Sequence, residues 1–398
     1  MKALILSGGI SEYMSPFNKT RPNTNLQIAG KSCISRTVEF IKAAGIKSIS
    51  IVVADDNREL IENECKLISD VQMNFITQKK KGIGASILSA SDQFSPSERF
   101  LLLYGDIFSS ENIFANIIQT HGVNKGHTAL ICHTEDSANY GNVYLDEKAR
   151  ITKLIEKPGK KVDLHNYVLA GLFVFSTKLF EHLRATGSNM VKAMNRMVRS
   201  EVLQATIWDH DWIDLRFPWD ILEANRCVMR HWTTTTIHSS VLILNAEISG
   251  PVHIEQGAKI CSGAVLQGPL YIGQDAFIGH NALIRPYSSI GDRTIIGQGV
   301  EMKNSIIFND SEIGRNSFIG DSVIGSRVRM GAGCMTLNNN ADESSVSVKI
   351  KNKKFVPKLE KVGAFIGDNS IIGASNSIRA GSVIHSGYQV DHNISIKS

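Results

Sequence analysis

Large apolar residues recur at every sixth position through much of the second half of the chain. A period of six sustained over many positions is typical of hexapeptide repeats, in which each apolar side chain stacks on the one in the coil above. It predicts a parallel β-helix over residues 240–398. The positions that set the period are Ile248, Ile254, Ile260, Leu266, Ile272, Ile278, Ile284, Ile290 and Ile296, and after a break Ile366, Ile372, Ile378, Ile384, Val390 and Ile396.

The repeat is interrupted in two places. It slips by one position near 302–313, and it stops over 337–362, where the sequence becomes polar. The second interruption predicts a loop inserted into the β-helix. A solvated loop is the interpretation we favour for its charges, and an anion site is the alternative. The lysines of this segment are Lys349, Lys351, Lys353, Lys354, Lys358 and Lys361.

The first half follows a different pattern, in which short apolar runs alternate with helical spacing. Ala3–Leu6, Ser48–Val53 and Phe100–Tyr104 read as strands, and 35–44 reads as a helix. Strands that are apolar on both faces and alternate with helices predict an α/β domain with a mostly parallel, Rossmann-like sheet.

Ligands bind such sheets beyond the carboxyl ends of the strands. Gly8 and Gly9 follow the first predicted strand, and Asp106 follows the strand that ends at Tyr104. These residues are therefore candidates for a binding site. Asp106 on its own could cap a helix, but its position after Gly105 at a strand end favours a ligand site.

Glycine marks the division between the halves. Residues 1–240 contain 13 of the 32 glycines and residues 241–398 contain 19, so the density more than doubles at the boundary. A helical pattern over 218–232 precedes it. We predict a first domain over 1–227, a connecting segment over 228–239 and the β-helix, with its loop at 337–362, over 240–398.

Composition narrows the class of protein. Hydrophobic residues make up 42% and charged residues 20%, which is typical of globular domains. A net charge of +5 over 398 residues does not indicate nucleic-acid binding. No apolar run is long enough to cross a membrane, and the apolar stretch at the N-terminus is too short for a signal peptide. The six cysteines are scattered without metal-site spacing, so we expect a cytoplasmic protein.

The motifs of the first half, taken in order, resemble those of the sugar-1-phosphate nucleotidylyltransferases that carry a C-terminal left-handed β-helix. The bifunctional bacterial and archaeal enzymes that make UDP-N-acetylglucosamine are the most similar type. The loop from Leu6 to Pro16 resembles the family's L-A-A-G-x-G-x-R-M-x-P, and Gln78 with 82–84 resembles its base-reading segment. The resemblance implies that the nucleotide is bound by Leu6, Ser7, Gly8, Gly9, Gln78, Gly82 and Ile83.

The same resemblance implies a magnesium site and a sugar-phosphate site. Asp106 matches the family's G-D, and Asp214 matches the acidic residue of its W-x-D-I-G-x-P-W-D, although Asp209, Asp211 and Asp220 are close by. Two carboxylates suit Mg²⁺, which prefers oxygen ligands. The family's sugar-side motifs match Tyr140, Gly141, Glu156, Lys157 (followed by Pro158) and Gly171.

The sequence departs from the family where positive charge is expected. The loop arginine is replaced by Tyr13 and the lysine of the P-K-P segment by Asn23. Ser11 and Leu169 replace a glycine and an asparagine. Loss of one preorganised charge from a transition-state site costs roughly 10²–10³ in rate. Lys19 and Arg21 are close enough in sequence to supply a substitute charge.

The second half departs in the same way from the family's acetyltransferase motif. The general-base histidine corresponds to Arg315, which stays protonated and cannot accept a proton, and the tyrosine corresponds to Phe318. Arg285, Lys303 and Asn338 match residues that bind the sugar phosphate. The resemblance thus implies a sugar-phosphate site here, but we do not expect acetyl-CoA as a substrate.

We favour a binding or regulatory homologue that retains a nucleotide-sugar or sugar-phosphate pocket with weak or no turnover. The alternative is an active Mg²⁺-dependent nucleotidylyltransferase that combines a nucleoside triphosphate with a sugar-1-phosphate. A purely structural scaffold is a third class. Since family members associate through the flat faces of the β-helix, we expect a homotrimer or mixed oligomer, with neither nucleic acid nor membrane as a partner.

Overall fold

The computed structural model describes residues 1–124, 126–157 and 166–396, which form two compact units. The first, here called the sheet unit, comprises residues 1–10, 22–25 and 32–214. The second, here called the coil unit, comprises residues 11–21, 26–31 and 215–398. Two N-terminal segments thus pack with the C-terminal half. The predicted contiguous boundary at 228–239 stays a prediction, and Pro158 lies outside the described residues.

A mixed sheet of nine strands forms the centre of the sheet unit. Its path runs β7-β6-β8-β4-β1-β2-β3, and β5 joins β8 to β9. The segment β4-β1-β2-β3 is parallel, as predicted, whereas β8 runs antiparallel to β4. The strands are β1 (Lys2–Ser7), β2 (Ser48–Val53), β3 (Gln72–Thr77), β4 (Arg99–Tyr104), β5 (His127–His133), β6 (Gly141–Leu145), β7 (Ile151–Glu156), β8 (Tyr167–Ser176) and β9 (Leu203–Trp208).

Helices cover both faces of this sheet, which explains why its central strands β1, β2 and β4 are apolar on both faces. Along β1, Ala3 and Ile5 belong to one buried cluster and Leu4 to the other. Ser32 caps the first helix by accepting a hydrogen bond from the backbone N–H of Ser35, at 3.3 Å. The helices are α1 (Cys33–Ala43), α2 (Arg58–Cys65), α3 (Ile83–Ser89), α4 (Ile113–Asn124), α5 (Lys178–Ala185) and α6 (Met190–Met197).

The coil unit contains α7 (Asp220–Met229) followed by a left-handed β-helix, and the described strands of the β-helix itself form three parallel sheets of eight. The first sheet comprises Thr236–Ile237, Val252–Ile254, Leu270–Ile272, Ser288–Ile290, Ile306–Ile307, Val323–Ile324, Phe365–Ile366 and Val383–Ile384. The second comprises Leu242–Ile243, Lys259–Ile260, Phe277–Ile278, Ile295–Ile296, Glu312–Ile313, Arg329–Met330, Ile371–Ile372 and Gln389–Val390. The third comprises Glu247–Ser249, Val265–Gln267, Leu283–Ile284, Glu301–Lys303, Phe318–Gly320, Met335–Thr336, Ser377–Ile378 and Ser395–Ile396.

The period of six is confirmed by the stacking of the inward residues. Ile254, Ile272 and Ile290 pair in register at intervals of 18 residues, which is three hexapeptides. The slip arises because the next two intervals, to Ile307 and then Ile324, are 17 residues each. All of these side chains belong to one buried column.

The insertion at 337–362 is partly folded. It contains an antiparallel hairpin of Val348–Ile350 and Lys353–Phe355, here called the inserted hairpin. Val348 and Ile350 are buried, whereas the lysines between and around them are exposed. The lysines of the hairpin are exposed, as a solvated loop would have them, whereas Val348 and Ile350 pack on the protein.

Two further expectations concern the whole chain. The six cysteines are all buried and free of disulfides, and burial raises the pKa of Cys33, Cys65 and Cys132 to about 12. Over the residues that the structure describes, no helix is both long enough and apolar enough to span a membrane.

Candidate functional site

The backbone that follows β1 is held by two polar side chains of the sheet unit. The Oγ of Ser7 lies 2.7 Å from Oγ1 of Thr24, and both residues are buried. Gln78 donates from Nε2 to the carbonyl of Gly8 at 3.1 Å, and its Oε1 accepts from Ser86 at 3.1 Å. A Cβ on Gly8 would lie 2.5 Å from that Oε1. Glycine is thus required for Gln78 to hold this turn, and the predicted Ser7, Gly8 and Gln78 lie together.

The remaining predicted nucleotide residues flank this turn. Leu6 precedes Ser7 in β1, and the space around Gly9 is open. Gly82 has a φ of +113°, a value that favours glycine, and leads directly into α3. Ile83 is 46% exposed at the start of that helix. An exposed apolar side chain beside an open glycine turn is suited to contacting a flat ring.

The two predicted metal-binding aspartates lie on backbone segments that are joined by a short antiparallel pairing. Asp106 follows β4, and its neighbour Ile107 pairs in register with Asp214. The pairing places Asp214 diagonally across from Asp106, beyond the carboxyl ends of β1 and β4. Mg²⁺ commonly takes one or two protein carboxylates and completes its shell with water and phosphate oxygens, so this donor set fits it. The structure contains no cluster of three or more acidic, histidine or cysteine ligands among the described residues.

Tyr104 lies in the electrostatic field of two of the predicted carboxylates, Glu156 and Asp106. Burial raises the pKa of Asp106 above its usual value, because removal from water penalises the charged form. Burial also raises the pKa of Tyr104, and the negative charges of Glu156 and Asp106 raise it further. The Tyr104 hydroxyl therefore stays protonated and can donate a hydrogen bond within an acidic environment.

The predicted sugar-side residues lie on adjoining strands. Gly141 pairs in register with Glu156 across β6 and β7, and the backbone N–H of Lys157 donates to the carbonyl of Tyr140 at 3.0 Å. A Cβ on Gly141 would lie 3.4 Å from Oε2 of Glu156. The ring of Tyr140 packs edge-on against Trp212, with centroids 5.3 Å apart. The structure thus brings Tyr140, Gly141, Glu156 and Lys157 together.

Gly171 links this group to the acidic pair. It has a φ of +79°, and a Cβ there would lie 2.9 Å from Ile107 and 3.1 Å from Tyr104. Because Tyr104 and Ile107 flank Asp106, the glycine lets β8 pack closely against the segment that carries this aspartate. Trp212 donates to the carbonyl of Ala170 at 3.0 Å and holds the same bend.

The positions where the family carries positive charge have other roles here. Asn23 is 3% exposed and opens a short 3₁₀ helix, Asn23–Asn25, in the sheet unit. Tyr13 lies in the coil unit, where its ring centroid is 5.6 Å from that of Phe217 and 5.5 Å from that of Phe355 in the inserted hairpin. Lys353 lies 3.5 Å from the Tyr13 hydroxyl. Tyr13 therefore anchors its segment within an aromatic cluster.

The two cations considered as substitutes are also in the coil unit. Arg21 donates to the buried carboxylate of Asp368 and, at 3.0 Å, to Ser326. Lys19 is exposed and lines a cavity with residues of the inserted hairpin. Arg21 is thus committed to a structural ion pair.

The residues predicted for the second sugar-phosphate site divide into two groups. Asn338 donates to Oδ2 of Asp321 at 2.6 Å, and Lys303 lies 3.7 Å from the same carboxylate. Arg285 pairs instead with Glu301 at 2.9 Å. Arg315 is exposed. The structure therefore brings Lys303 and Asn338 together on Asp321, while Arg285 has a different partner.

Two residues near the predicted sites were missed by the sequence reasoning. Tyr104 precedes the G-D motif, and only the structure reveals its link to Glu156. Arg216 stands where the family has glycine, and its guanidinium lies 5.2 Å from the centre of the Tyr13 ring. The replacement of the motif's glycine by Arg216 was the one sequence signal that could have drawn attention to this residue.

Comparison with protein-family models gives two matches. Residues 2–230 match the model described as Nucleotidyl transferase, and residues 266–359 match the one described as GMPPB C-terminal domain.

Two curated relatives match nearly the whole chain. The "Bifunctional sugar-1-phosphate nucleotidylyltransferase/acetyltransferase" of Sulfurisphaera tokodaii is 33% identical over 394 residues, which is 96% of this chain and 93% of that protein. The "Bifunctional protein GlmU" of Methanococcus maripaludis strain C7 is 34% identical over 388 residues, which is 96% of this chain and 91% of that protein.

Solved structures are similar in fold at lower identity. A UTP-bound UGPase from Acinetobacter baumannii has a TM-score of 0.51 at 16% identity, covering 56% of this chain and 91% of its own. A UDP-glucose pyrophosphorylase complexed with UDP-glucose has a TM-score of 0.51 at 20% identity, covering 56% of this chain and 96% of its own. These similarities concern the fold alone.

Proposed function

This chain belongs to the nucleotidyl transferase family, and from that premise we propose that it binds a nucleotide-sugar or sugar phosphate with weak or no nucleotidyl transfer. The observation that carries the proposal is the packing of Tyr13. The residue at the family's loop-arginine position packs against the rings of Phe217 and Phe355, tilted to the first and edge-on to the second, and anchors its segment. The names of the relatives support the choice of ligand class.

The chemistry explains why these two positions matter. Attack of a sugar-1-phosphate oxygen on the α-phosphate of a nucleoside triphosphate requires little covalent help, but it depends on positioning and on positive charge near the phosphoryl oxygens. Neither Tyr13 nor the buried Asn23 supplies that charge. Each loss would lower the rate by roughly 10²–10³, and two losses would combine non-additively.

Under this proposal the residues that bind the ligand keep their roles. Asp106 and Asp214 would hold Mg²⁺, which would neutralise phosphate charge when bound. Gln78 would position the base beside the turn at Gly8, since the amide is already fixed by Ser86. Glu156 and Lys157 would contact the sugar phosphate.

A first experiment measures turnover and binding together. Purified protein with Mg²⁺ is screened for pyrophosphate release with UTP, dTTP, CTP, ATP and GTP against several sugar-1-phosphates, and Asp106→Ala controls for contaminating activity. We expect no release above that control, and saturable binding of a member of the panel by calorimetry. Release by the wild type that disappears in Asp106→Ala would overturn the proposed lack of turnover.

Restoring the missing charges gives a second readout. The double variant Tyr13→Arg/Asn23→Lys should gain pyrophosphate release if the charges were lost from an otherwise complete site. A circular-dichroism spectrum checks that the lysine at the buried position 23 leaves the fold intact. Loss of existing activity in the double variant would instead indicate a rewired, active enzyme.

A second candidate, the active nucleotidylyltransferase, is favoured by Arg216. Its guanidinium lies over the rings of Tyr13 and Phe217, at 5.2 and 5.1 Å, and brings a positive charge close to the residue that replaces the loop arginine. Under this candidate Arg216→Ala abolishes turnover. Arg226→Ala, at an exposed arginine of α7, leaves it unchanged.

For the coil unit we propose that acetyl transfer is absent. Arg315 cannot accept a proton from a sugar amine, because a guanidinium stays protonated. Phe318 has no hydroxyl to donate. The assay is release of free thiol from acetyl-CoA with glucosamine-1-phosphate, and activity above a protein-free control would contradict the proposal.

We also propose that chains associate through a face of the β-helix. The outward positions of the third sheet include Val265, Leu283, Phe318 and Met335, of which Met335 is 47% exposed, and Glu301 stands between Leu283 and Phe318. A flat face that is apolar at most of these positions is suited to packing against another copy. Light scattering at micromolar concentration should give the mass of an oligomer. A monomeric mass would contradict the proposal.

A further inference from the structure

A cavity of about 520 Å³ lies in the coil unit beside the segment of residues 11–21, here called the N-terminal segment. One wall belongs to that segment and another to the inserted hairpin. A third wall comes from a coil of the β-helix. The polar residues that line it are Glu12, Ser15, Asn18, Lys19, Lys349, Lys351, Asn352 and His385.

The charges of this cavity are unbalanced. Three of its residues are lysines, and its one carboxylate, Glu12, already pairs with Lys351 at 2.8 Å. Within the described residues, neither Lys19 nor Lys349 forms an ion pair with a carboxylate. Both ammonium groups therefore line one cavity without a compensating charge. An anion bound in this cavity would supply the missing negative charge.

The neutral polar groups favour the same ligand. The amide group of Asn352 and the hydroxyl of Ser15 lie on the cavity wall and can donate hydrogen bonds. Asn18 shapes the wall instead, because its Nδ2 donates to the carbonyls of Ser11, at 2.9 Å, and Glu12, at 3.3 Å. Lysine ammonium groups with nearby hydroxyl and amide donors are the chemistry by which proteins bind phosphate groups. The volume lies within the usual range for small-molecule sites.

We propose that this cavity binds a small phosphate-bearing anion between Lys19 and Lys349. The two lysines come from different parts of the chain, a 3₁₀ turn at Phe17–Lys19 and a hairpin strand at Val348–Ile350. A bound anion therefore ties the N-terminal segment to the inserted hairpin. That segment begins two residues after Gly9, so the ligand orders the chain that leaves the turn after β1. The site is separate from the residues assigned above to the sugar nucleotide.

The experiment titrates full-length protein with inorganic pyrophosphate, inorganic phosphate and glucose-1-phosphate by calorimetry, at low salt. EDTA is present, so that metal-dependent binding at Asp106 and Asp214 does not contribute. We expect saturable binding of at least one probe, weakened as salt is added. Lys19→Ala and Lys349→Ala should each weaken it about tenfold or more, as expected for the loss of a charge-assisted hydrogen bond. Comparison of the three probes identifies whether the source is a free phosphate or a phosphorylated sugar.

Two matched variants locate the site. Arg379 lines a neighbouring cavity of about 540 Å³ that shares Lys349 and Asn352 but does not include Lys19. Lys259 is an exposed lysine of the second sheet outside both cavities. Arg379→Ala and Lys259→Ala should bind as the wild type does. Weakening by Arg379→Ala without weakening by Lys19→Ala would assign the anion to the neighbouring cavity and overturn the proposal.

Hydrogen exchange tests whether the bound anion orders the N-terminal segment. Saturating pyrophosphate should slow exchange at the amides of residues 11–21 in the wild type but not in Lys19→Ala. The absence of saturable binding by every probe, or equal binding by the wild type and a Lys19→Ala/Lys349→Ala variant, would overturn the site. Because EDTA and Asp106→Ala leave this binding intact, its failure can be distinguished from failure of the nucleotide-sugar proposal.

Discussion

Arg21 donates a hydrogen bond to Asp368, a residue 347 positions later in the chain, and the carboxylate that it meets is 1% exposed. The other oxygen of Asp368 accepts from the backbone N–H of Ser326 at 2.8 Å. The Arg21 guanidinium also lies 4.7 Å from the centre of the Phe308 ring. The N-terminal segment is thus anchored to a buried charge in the β-helix.

The first prediction concerns the stability of this anchor. Arg21→Ala should lower the free energy of unfolding by about 3–5 kcal/mol, because it leaves the carboxylate of Asp368 buried without its cation. Urea denaturation followed by circular dichroism measures the effect. Arg293→Ala is the matched control, since Arg293 pairs with Asp310 at the surface. An exposed pair contributes roughly 0.2–1 kcal/mol. Equal effects of the two variants would contradict the role given to Arg21.

The second prediction concerns the aromatic cluster around Tyr13. Phe355→Ala should speed hydrogen exchange at residues 11–21, because the edge-on contact between the Phe355 and Tyr13 rings is lost. Such contacts contribute about 0.5–1.5 kcal/mol beyond burial. Val356 is next in the chain and 59% exposed, so Val356→Ala should leave the exchange unchanged. Acceleration by both variants would indicate a general loosening of the hairpin.

The β-helix could be predicted from the sequence because its information is local. Each coil repeats the same inward side chain, so a one-dimensional period specifies the stacking, and even the slip near 302–313 has its counterpart in two 17-residue intervals. The parallel core of the sheet was predictable for a similar reason, since buried strands are apolar at successive positions. These features required no knowledge of distant contacts.

The placement of the N-terminal segment could not be predicted in this way. Nothing near Tyr13 in the sequence indicates that its partner ring is Phe355, and the motif pattern marked the position only by the missing arginine. Asp214 illustrates the same limit, because only its register with Ile107 separates it from the neighbouring acidic residues. The positions of these residues depend on contacts between distant parts of the chain, which local periodicity does not reveal.

The third prediction concerns Asp106. Burial raises its pKa in the folded protein, so the ionised carboxylate destabilises the metal-free fold at neutral pH. Asp106→Asn should therefore raise the thermal midpoint in EDTA at pH 7.5. This gain should shrink as the pH falls and the wild-type carboxyl takes up a proton, because a tenfold change in proton affinity on folding corresponds to about 1.4 kcal/mol. The same variant should lose any stabilisation by Mg²⁺ with a nucleotide. A gain independent of pH would contradict the assignment to this carboxyl.

A buried histidine, His127, is a second group in the sheet unit that makes folding stability depend on pH. His127 accepts a hydrogen bond at Nδ1 from the backbone N–H of Ser176, at 3.3 Å, and its Nε2 lies 2.9 Å from Glu201. This arrangement fits a neutral ring that donates from Nε2. Burial lowers the pKa of His127, although the contact with Glu201 opposes this effect.

The fourth prediction follows from the lowered pKa of His127. Below the unfolded pKa of about 6.5, the unfolded chain takes up a proton that folded His127 resists, so stability should fall as the pH decreases from 7 towards 5. One such group contributes at most about 1.4 kcal/mol per pH unit. His127→Gln keeps a donor for Glu201 without a titrating ring, and it should flatten the dependence of the urea midpoint on pH. His238→Gln, at an exposed histidine, should leave the wild-type slope intact, and a flattened slope in that variant would show that His127 is not the responsible group.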